Sequence, residues 1–293
     1  MFGKSTLLAA LAASVLTLPA QDITEYVDIR PGTLPILLTV PHGGDLKPES
    51  ILARRYGVTT KDANTAELSL MIIEEMQQQF GGAPHAIICR LHRSKVDCNR
   101  ELAEATQGDP IATAAWQRFH GAATEIRKQI TQRFGSGLTL DLHGHRHVDP
   151  RVELGYLIPG TQLNNSDAAL NTDGRFKSMS SIHELARRSP LNFAELLRGP
   201  QSLGALLEAR DYHSIPSPSK PSPGTAIYFS GSYTILAHGS RDSGSISAIQ
   251  IECPWEGVRD TEANQRSFAK AFTAAVGEYF GLHFQYPLGP VKK

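Results

Sequence analysis

The 293-residue chain holds only three cysteines, Cys89, Cys98 and Cys253. An odd count leaves at least one thiol outside any intrachain bridge, and no Cys-x-x-Cys or Cys–His spacing of a structural zinc site occurs. The expectation is buried, inert thiols, with Cys98 and Cys253 near one another. Charge of one sign is missing too: 29 basic residues balance 29 acidic ones. That excludes an electrostatic grip on nucleic acid or on an anionic membrane surface. No apolar run reaches the roughly 20 residues that a membrane-spanning helix needs. No segment repeats, and no shift in composition marks a domain boundary. The one excess is eleven histidines, which favours a metal site.

Residues 1–20 differ from the rest. Lys4 precedes an apolar stretch from Leu7 to Leu18, interrupted only by Ser14 and Thr17 and followed by Pro19-Ala20. A short positive start, a short apolar centre and a small residue at the end describe a secretory signal peptide, cleaved after Ala20. The expectation is therefore an exported protein with one domain over residues 21–293. The sequon Asn164-Asn165-Ser166 would put its loop at the surface.

From residue 34 onward, strand-like and helix-like patterns alternate. Leu34–Val40 is apolar and β-branched, and it ends in Pro41-His42-Gly43-Gly44-Asp45. A helix over Ala63–Phe80, capped by Thr60 or Asp62, shows apolar residues at three- and four-residue steps and closes at Gly81-Gly82. His85–Leu91 is a second strand that runs into Arg93, Asp97, Asn99 and Arg100. A helix over Trp116–Phe134 leads through Gly135 and Gly137 to Leu138–Leu142, where polar residues arrive abruptly as Asp141, His143, His145 and His147. Val152–Ile158 is a further strand; the polar stretch to Ser181 reads as too loose for core, and Ser181–Leu197 as helical. Ser214–Gly224, with four prolines among serines, reads as an extended tether or lid. Ile246–Ile251 is a strand ending at Glu252, and Asn264–Phe280 is a last amphipathic helix.

Strands alternating with helices imply a three-layer α/β fold, a mostly parallel mixed sheet with helices on both faces, whose strands deliver their carboxyl ends to one rim. Three of those ends carry His42, His143 and Glu252. Two imidazoles, a carboxylate and a position left to water make the arrangement of a catalytic zinc. A free glutamate beside that water suits a general base. An arginine preceded by asparagine suits a substrate carboxylate.

These motifs carry a resemblance. Val40-Pro41-His42-Gly43-Gly44, the run Asp62-Ala63-Asn64-Thr65-Ala66-Glu67-Leu68, Arg93-Ser94-Lys95-Val96-Asp97-Cys98-Asn99-Arg100, Asp141-Leu142-His143 and Gln250-Ile251-Glu252 resemble the N-formylglutamate amidohydrolase family, a branch of the zinc carboxypeptidase and aspartoacylase fold. The resemblance implies a zinc-dependent amidohydrolase with His42, Asp62 and His143 as metal ligands, Asp45 being the alternative carboxylate. It implies Glu252 as general base, Arg93 at the oxyanion, and Asn99 and Arg100 on the substrate carboxylate. The implied substrate is an N-acyl amino acid or a short peptide with a free carboxylate. Two rivals stand beside it. One is a TIM-barrel amidohydrolase, from the His143-x-His145 pattern. The other is a non-catalytic carboxylate-binding protein on the same fold, against which the acid at Glu252 argues. His145 and His147 read as surface residues, with support of the metal ligands as the other reading. His92, His120 and His183 read as structural, while Arg259 and Glu256 have an undecided reach toward the site.

Overall fold

Strands covered by helices on both faces read as near-continuous apolar runs rather than alternating ones, and that is what this sequence shows. The computed structural model describes residues 23–284 and 286–289; the expected signal peptide at residues 1–20 lies outside the described residues. The strands are β1 (Val27–Arg30), β2 (Ile36–Val40), β3 (His85–Cys89), β4 (Gly137–His145), β5 (Val152–Gly155), β6 (Ser214–Ile215) and β7 (Ile246–Pro254). They form one sheet in the order β1-β3-β2-β4-β7-β5-β6. β2 lies parallel to β3 and β4, β4 to β7, and β5 to β6. The pairs β1–β3 and β5–β7 are antiparallel. The sheet is open, ending in β1 and β6, so the closed-barrel alternative is excluded.

Eleven helices connect and cover these strands among the described residues: α1 (Thr65–Phe80), α2 (Leu102–Thr106), α3 (Pro110–Phe134), α4 (Gly160–Leu163), α5 (Asp167–Thr172), α6 (Gly174–Met179), α7 (His183–Arg188), α8 (Phe193–Arg198), α9 (Leu203–Glu208), α10 (Tyr233–His238) and α11 (Glu262–His283). Successive strand residues point to opposite faces, and the cores divide accordingly. Ile36 and Leu38 join Leu68 and Ile72 of α1 and Phe268 and Phe272 of α11 on one face. Leu37 and Ile87 meet Phe119, Ala123 and Ile126 of α3 on the other. This is the three-layer arrangement expected, with helices on both faces.

Local expectations fail where a short-range signal was overruled by packing. Helix α1 starts at Asn64 in the left-handed region (φ 64°), with no side-chain cap, because Asp62 is used elsewhere. Helix α3 starts at Pro110, well before Trp116: Asp109 Oδ1 accepts hydrogen bonds from the amides of Ile111 and Ala112, both at 2.9 Å. Asp-Pro at a helix start is the signal that was available. The stretch before Ser181 is not loose, since α4 and α5 bury Leu163 and Leu170. The expected helix over Ser181–Leu197 is two, α7 and α8, broken at Pro190. The proline-rich segment is neither tether nor lid: Ser214 and Ile215 form edge strand β6, and Ser217 is buried, its Oγ donating to Glu208. Cys98 lies against Cys89 in the α3-side core, whereas Cys253 sits in the other; all three are free and buried. The sheet that separates the two cores keeps Cys98 and Cys253 apart.

Asp109 also accepts from the Leu52 amide at 2.8 Å, tying the 45–62 loop to α3. Asp109→Ala should therefore cost about 1–2 kcal/mol, the usual value of a lost helix cap. Urea unfolding followed by circular dichroism checks this: the midpoint should fall with the slope unchanged.

Candidate metal centre

The strand ends converge as parallel pairing requires. His42 follows β2 directly. β4 carries His143, and the β4–β7 register sets His143 opposite Glu252. The antiparallel β5–β7 register then sets Glu153 opposite Glu252. Asp62 reaches the same point from the turn before α1, where its amide donates to the His42 carbonyl at 3.0 Å and its carbonyl accepts from Thr65 Oγ1 at 2.7 Å.

His42, Asp62 and His143 are buried, and their ligand atoms lie within 4.8 Å of one another. Asp62 Oδ2 is 3.3 Å from His42 Nδ1, 3.2 Å from His143 Nδ1 and 3.2 Å from the Gly144 amide that donates to it. The far nitrogen of each ring faces its own carboxylate. His42 Nε2 is 2.6 Å from Asp97 Oδ1, and His143 Nε2 is 2.8 Å from Asp141 Oδ2. A proton on each Nε2 satisfies these acceptors and leaves the two Nδ1 lone pairs pointing at one place, the tautomer that metal-ligating histidines take when an outer carboxylate orients them. Both outer acids are held in turn. Asp141 Oδ1 accepts from Thr39 Oγ1 at 2.6 Å, and Asp97 accepts from Arg93 Nε at 2.9 Å and the Asn99 amide at 3.0 Å. Buried Arg54 stands 3.5 Å from Asp97.

Charge is concentrated here. Burial works to raise the Asp62 pKa, but in the metal-free site attraction to His42 and hydrogen bonds donated by His143 and His42, when their Nδ1 atoms are also protonated, outweigh it and hold the group well below the usual carboxylate range. Burial works to lower the His143 pKa, but Asp141 and then Asp62 overcome it, raising it well above the ordinary imidazole value. For Glu252, burial dominates and its pKa rises to about 8, with Asp62, Glu153 and Asp141 adding to the rise and His143 opposing it. Its Oε1 accepts from Gln250 Nε2 at 3.0 Å.

These residues open onto a cleft of about 850 Å³ that also includes Arg93, Asn99 and Arg100. Asn99 is buried, with Oδ1 accepting from the Thr234 amide at 2.8 Å and Nδ2 3.3 Å from His143 Nε2. Arg100 Nη1 donates to Asn99 O and to Ser232 Oγ, each at 2.8 Å. Asp45 is not at the centre: it is exposed and paired with Lys61 at 2.5 Å. His145 and His147 are not surface residues. His145 donates through Nε2 to Arg151 O at 2.8 Å and accepts at Nδ1 from the His147 amide at 3.1 Å. His147 Nδ1 lies 2.9 Å from buried Glu153. Their grouping with Glu153 has the spacing of a metal site, but both His145 nitrogens are taken, so it serves as a structural network. His120 is structural, bonded to Cys98 O at 2.9 Å and His238 at 2.8 Å.

Arg259 does reach the site, from behind. It is buried, and its guanidinium donates to the carbonyls of Ala63, Cys253 (3.1 Å) and His145 (2.9 Å). It thereby binds the start of α1 to the ends of β7 and β4. A Cβ at Gly144 would come within 2.2 Å of its Cζ, so glycine is what lets this brace lie against the strand. Glu256 is exposed and takes no part. Sequence reasoning missed the supporting roles of Asp97, Asp141, Thr39 and Arg54. Only Asp141 had a readable signal, lying two residues before His143 on the same strand face.

With this geometry in view, the comparisons with solved structures are specific. An N-formylglutamate amidohydrolase from Ralstonia eutropha superposes with a TM-score of 0.53 at 12% identity, over 89% of this chain and 99% of that one. The chain shares its fold. A gene product of Agrobacterium tumefaciens superposes with a TM-score of 0.51 at 13% identity, over 87% of this chain and 95% of its own. No protein-family profile matches the sequence, and no curated protein matches it. Among the described residues, no helix is long and apolar enough to cross a membrane.

Two predictions follow from the cradle. Asp141→Asn removes the carboxylate that orients His143, and should weaken zinc affinity by about 10–100-fold, measured by competition with a chromogenic chelator. The second concerns protons. Without metal, Glu252 stays protonated at pH 7, below its raised pKa, and a cation beside it favours the ionised form. Zinc titrated into metal-free protein at pH 7 should release about one proton fewer from Glu252→Gln than from the natural chain. At pH 9.5, where Glu252 is already ionised, that difference should vanish. Calorimetry in two buffers of different ionisation enthalpy counts these protons.

Proposed function

We propose that the chain hydrolyses the amide bond of an N-acyl amino acid, or of a short peptide with a free carboxylate, using zinc held by His42, Asp62 and His143. The observation that carries this is the convergence of two carboxylate-backed imidazole Nδ1 lone pairs on one Asp62 oxygen, with an unpaired acid, Glu252, opposite His143. Two nitrogens and one carboxylate oxygen are the donors zinc takes in catalytic sites. A bound zinc there supplies a Lewis acid that polarises a carbonyl and brings the pKa of water toward neutrality.

The rest falls to the chain's own side chains. Gln250 occupies Glu252 Oε1, which leaves Oε2 to take a proton from the attacking water and return it to the leaving nitrogen. Burial of this acid strengthens its basicity, which suits a group that must gain a proton and then give it up. Arg93 is fixed by Asp97 through Nε and lines the cleft, where its guanidinium can face the charge that develops on the carbonyl oxygen. Arg100, set by Asn99 and Ser232, receives the substrate carboxylate. The shared fold with an enzyme named an amidohydrolase is consistent with this reading. The pattern of residues 1–20 adds that the enzyme works after export.

Glu252→Gln separates an enzyme from a binding protein. Metal content and affinity for N-acyl amino acids should persist while kcat falls by about 10²–10⁴; full activity would overturn the mechanism. Arg100→Lys should raise KM about tenfold or more for carboxylate substrates, because an ammonium cannot reproduce the planar donor geometry. Equal turnover of a substrate and its C-terminal amide by the natural chain would remove Arg100 from this role.

A further inference from the structure

The wall beside Arg100 is built in an unusual way. Segment 228–234 is clamped at both ends: Phe229 N donates to Glu153 Oε2 at 2.8 Å, and Tyr228 Oη donates to Leu154 O at 2.6 Å. At the other end, Ser232 Oγ accepts from Arg100 at 2.8 Å, and the Thr234 amide donates to Asn99 at 2.8 Å. Between them, the Leu157 amide donates to Ser230 O at 2.7 Å. Gly155 permits this close approach, since a Cβ there would stand 2.7 Å from Gly231 N. The wall is thus fixed to the two groups that define the site: Glu153, opposite Glu252 in the sheet, and Arg100.

Two of its side chains in the cleft lining, Tyr228 and Phe229, are aromatic, and Phe229 is 42% exposed. The Phe229 ring packs 4.7 Å from His147, also in the cleft lining, and the Ile227 carbonyl that precedes this segment accepts from Arg151 at 2.9 Å. An aromatic ring held on a rigid frame inside a cleft is a ready contact for an apolar group of a ligand. Behind the wall, Arg151 is buried and its charge is already paired with Asp149 and with Glu153, the latter at 3.2 Å.

We propose that this wall is the side-chain subsite, and that the substrate's amino acid is apolar, a leucine- or phenylalanine-like residue, rather than acidic. The inference rests on the proposed function, specifically on the carboxylate sitting at Arg100. A carboxylate held there places the attached α-carbon beside Ser232, and the side chain it bears then runs along the wall toward Phe229. An acidic side chain in that position would meet the Phe229 ring over the already paired Glu153. Arg146, whose guanidinium stacks 4.1 Å over Trp255 in the cleft lining, is the group that would serve an acidic side chain instead.

The test uses the zinc-loaded mature chain with N-formyl derivatives of leucine, phenylalanine, glycine and glutamate. Here kcat/KM for the leucine and phenylalanine derivatives should exceed that for glutamate by about tenfold or more, the usual worth of burying such side chains. Phe229→Ser should reduce the leucine-to-glycine ratio about tenfold, with zinc content confirming the folded site. Binding of N-acetylphenylalanine and N-acetylglutamate to Glu252→Gln, followed by calorimetry, gives a readout without turnover. Tighter binding of the phenylalanine derivative without hydrolysis of any derivative would keep the subsite and overturn the catalytic reading. Hydrolysis with equal or greater preference for glutamate, especially one lost in Arg146→Ala, would overturn the subsite and keep the catalytic reading. Binding of neither ligand would overturn both.

Discussion

Everything at the rim depends on one oxygen. Asp62 Oδ2 sits between His42 Nδ1 and His143 Nδ1, and each ring is pressed toward it by a carboxylate behind. Asp62, Asp97, Asp141 and Glu252 are all buried within this small volume, where the guanidiniums of Arg54 and Arg93 both bear on Asp97 and Arg93 also reaches Asp62 Oδ1 at 3.6 Å. Buried carboxylates without matching charge are costly, and proteins keep them where they are paired or where they meet a metal. A divalent cation at the Nδ1 side satisfies both imidazoles and relieves the remaining negative charge.

The scaffold exists to hold that oxygen and its two rings in place. Adjacent parallel strands bring His42 and His143 to the rim, and the same sheet carries the acid one strand further along. The turn before helix α1 contributes rather than the helix itself, which starts without a side-chain cap while Asp62 faces the imidazoles. Arg259 then ties that turn to two strand ends through three carbonyls. Rigid placement of ligands by backbone contacts is what lets a cleft on the other side vary in its substrate.

The sheet and its principal helices were legible because their periodicities are long and unbroken, as in β4, β7 and α11. His42, His143 and Glu252 were legible for a related reason: each interrupts or follows an apolar run at the point where a parallel strand must end. The matched run from Asp62 to Leu68 favours Asp62 over Asp45, and Asp62 lies at the imidazoles while Asp45 is exposed beside Lys61. What stayed hidden is non-local. Asp97 meets His42 across 55 positions and Arg259 meets Ala63 across 196, and no spacing rule encodes such pairs. The middle of the chain, from Gly160 to Ile215, is hard to read because its helices are only four to six residues long, too short to build a periodic signal. His147 was misread for the opposite reason: its loop looks solvated until Glu153 and Phe229 enclose it.

The most direct test is to locate the metal itself. Crystals of the purified mature chain grown with zinc, measured on both sides of the zinc absorption edge, report the ion by its anomalous scattering. A single peak bonded at about 2.0–2.2 Å to His42 Nδ1, His143 Nδ1 and an Asp62 oxygen is the predicted result. A peak on the other ring nitrogens, at the His145–His147–Glu153 network, or no peak in fully formed protein, would contradict the account.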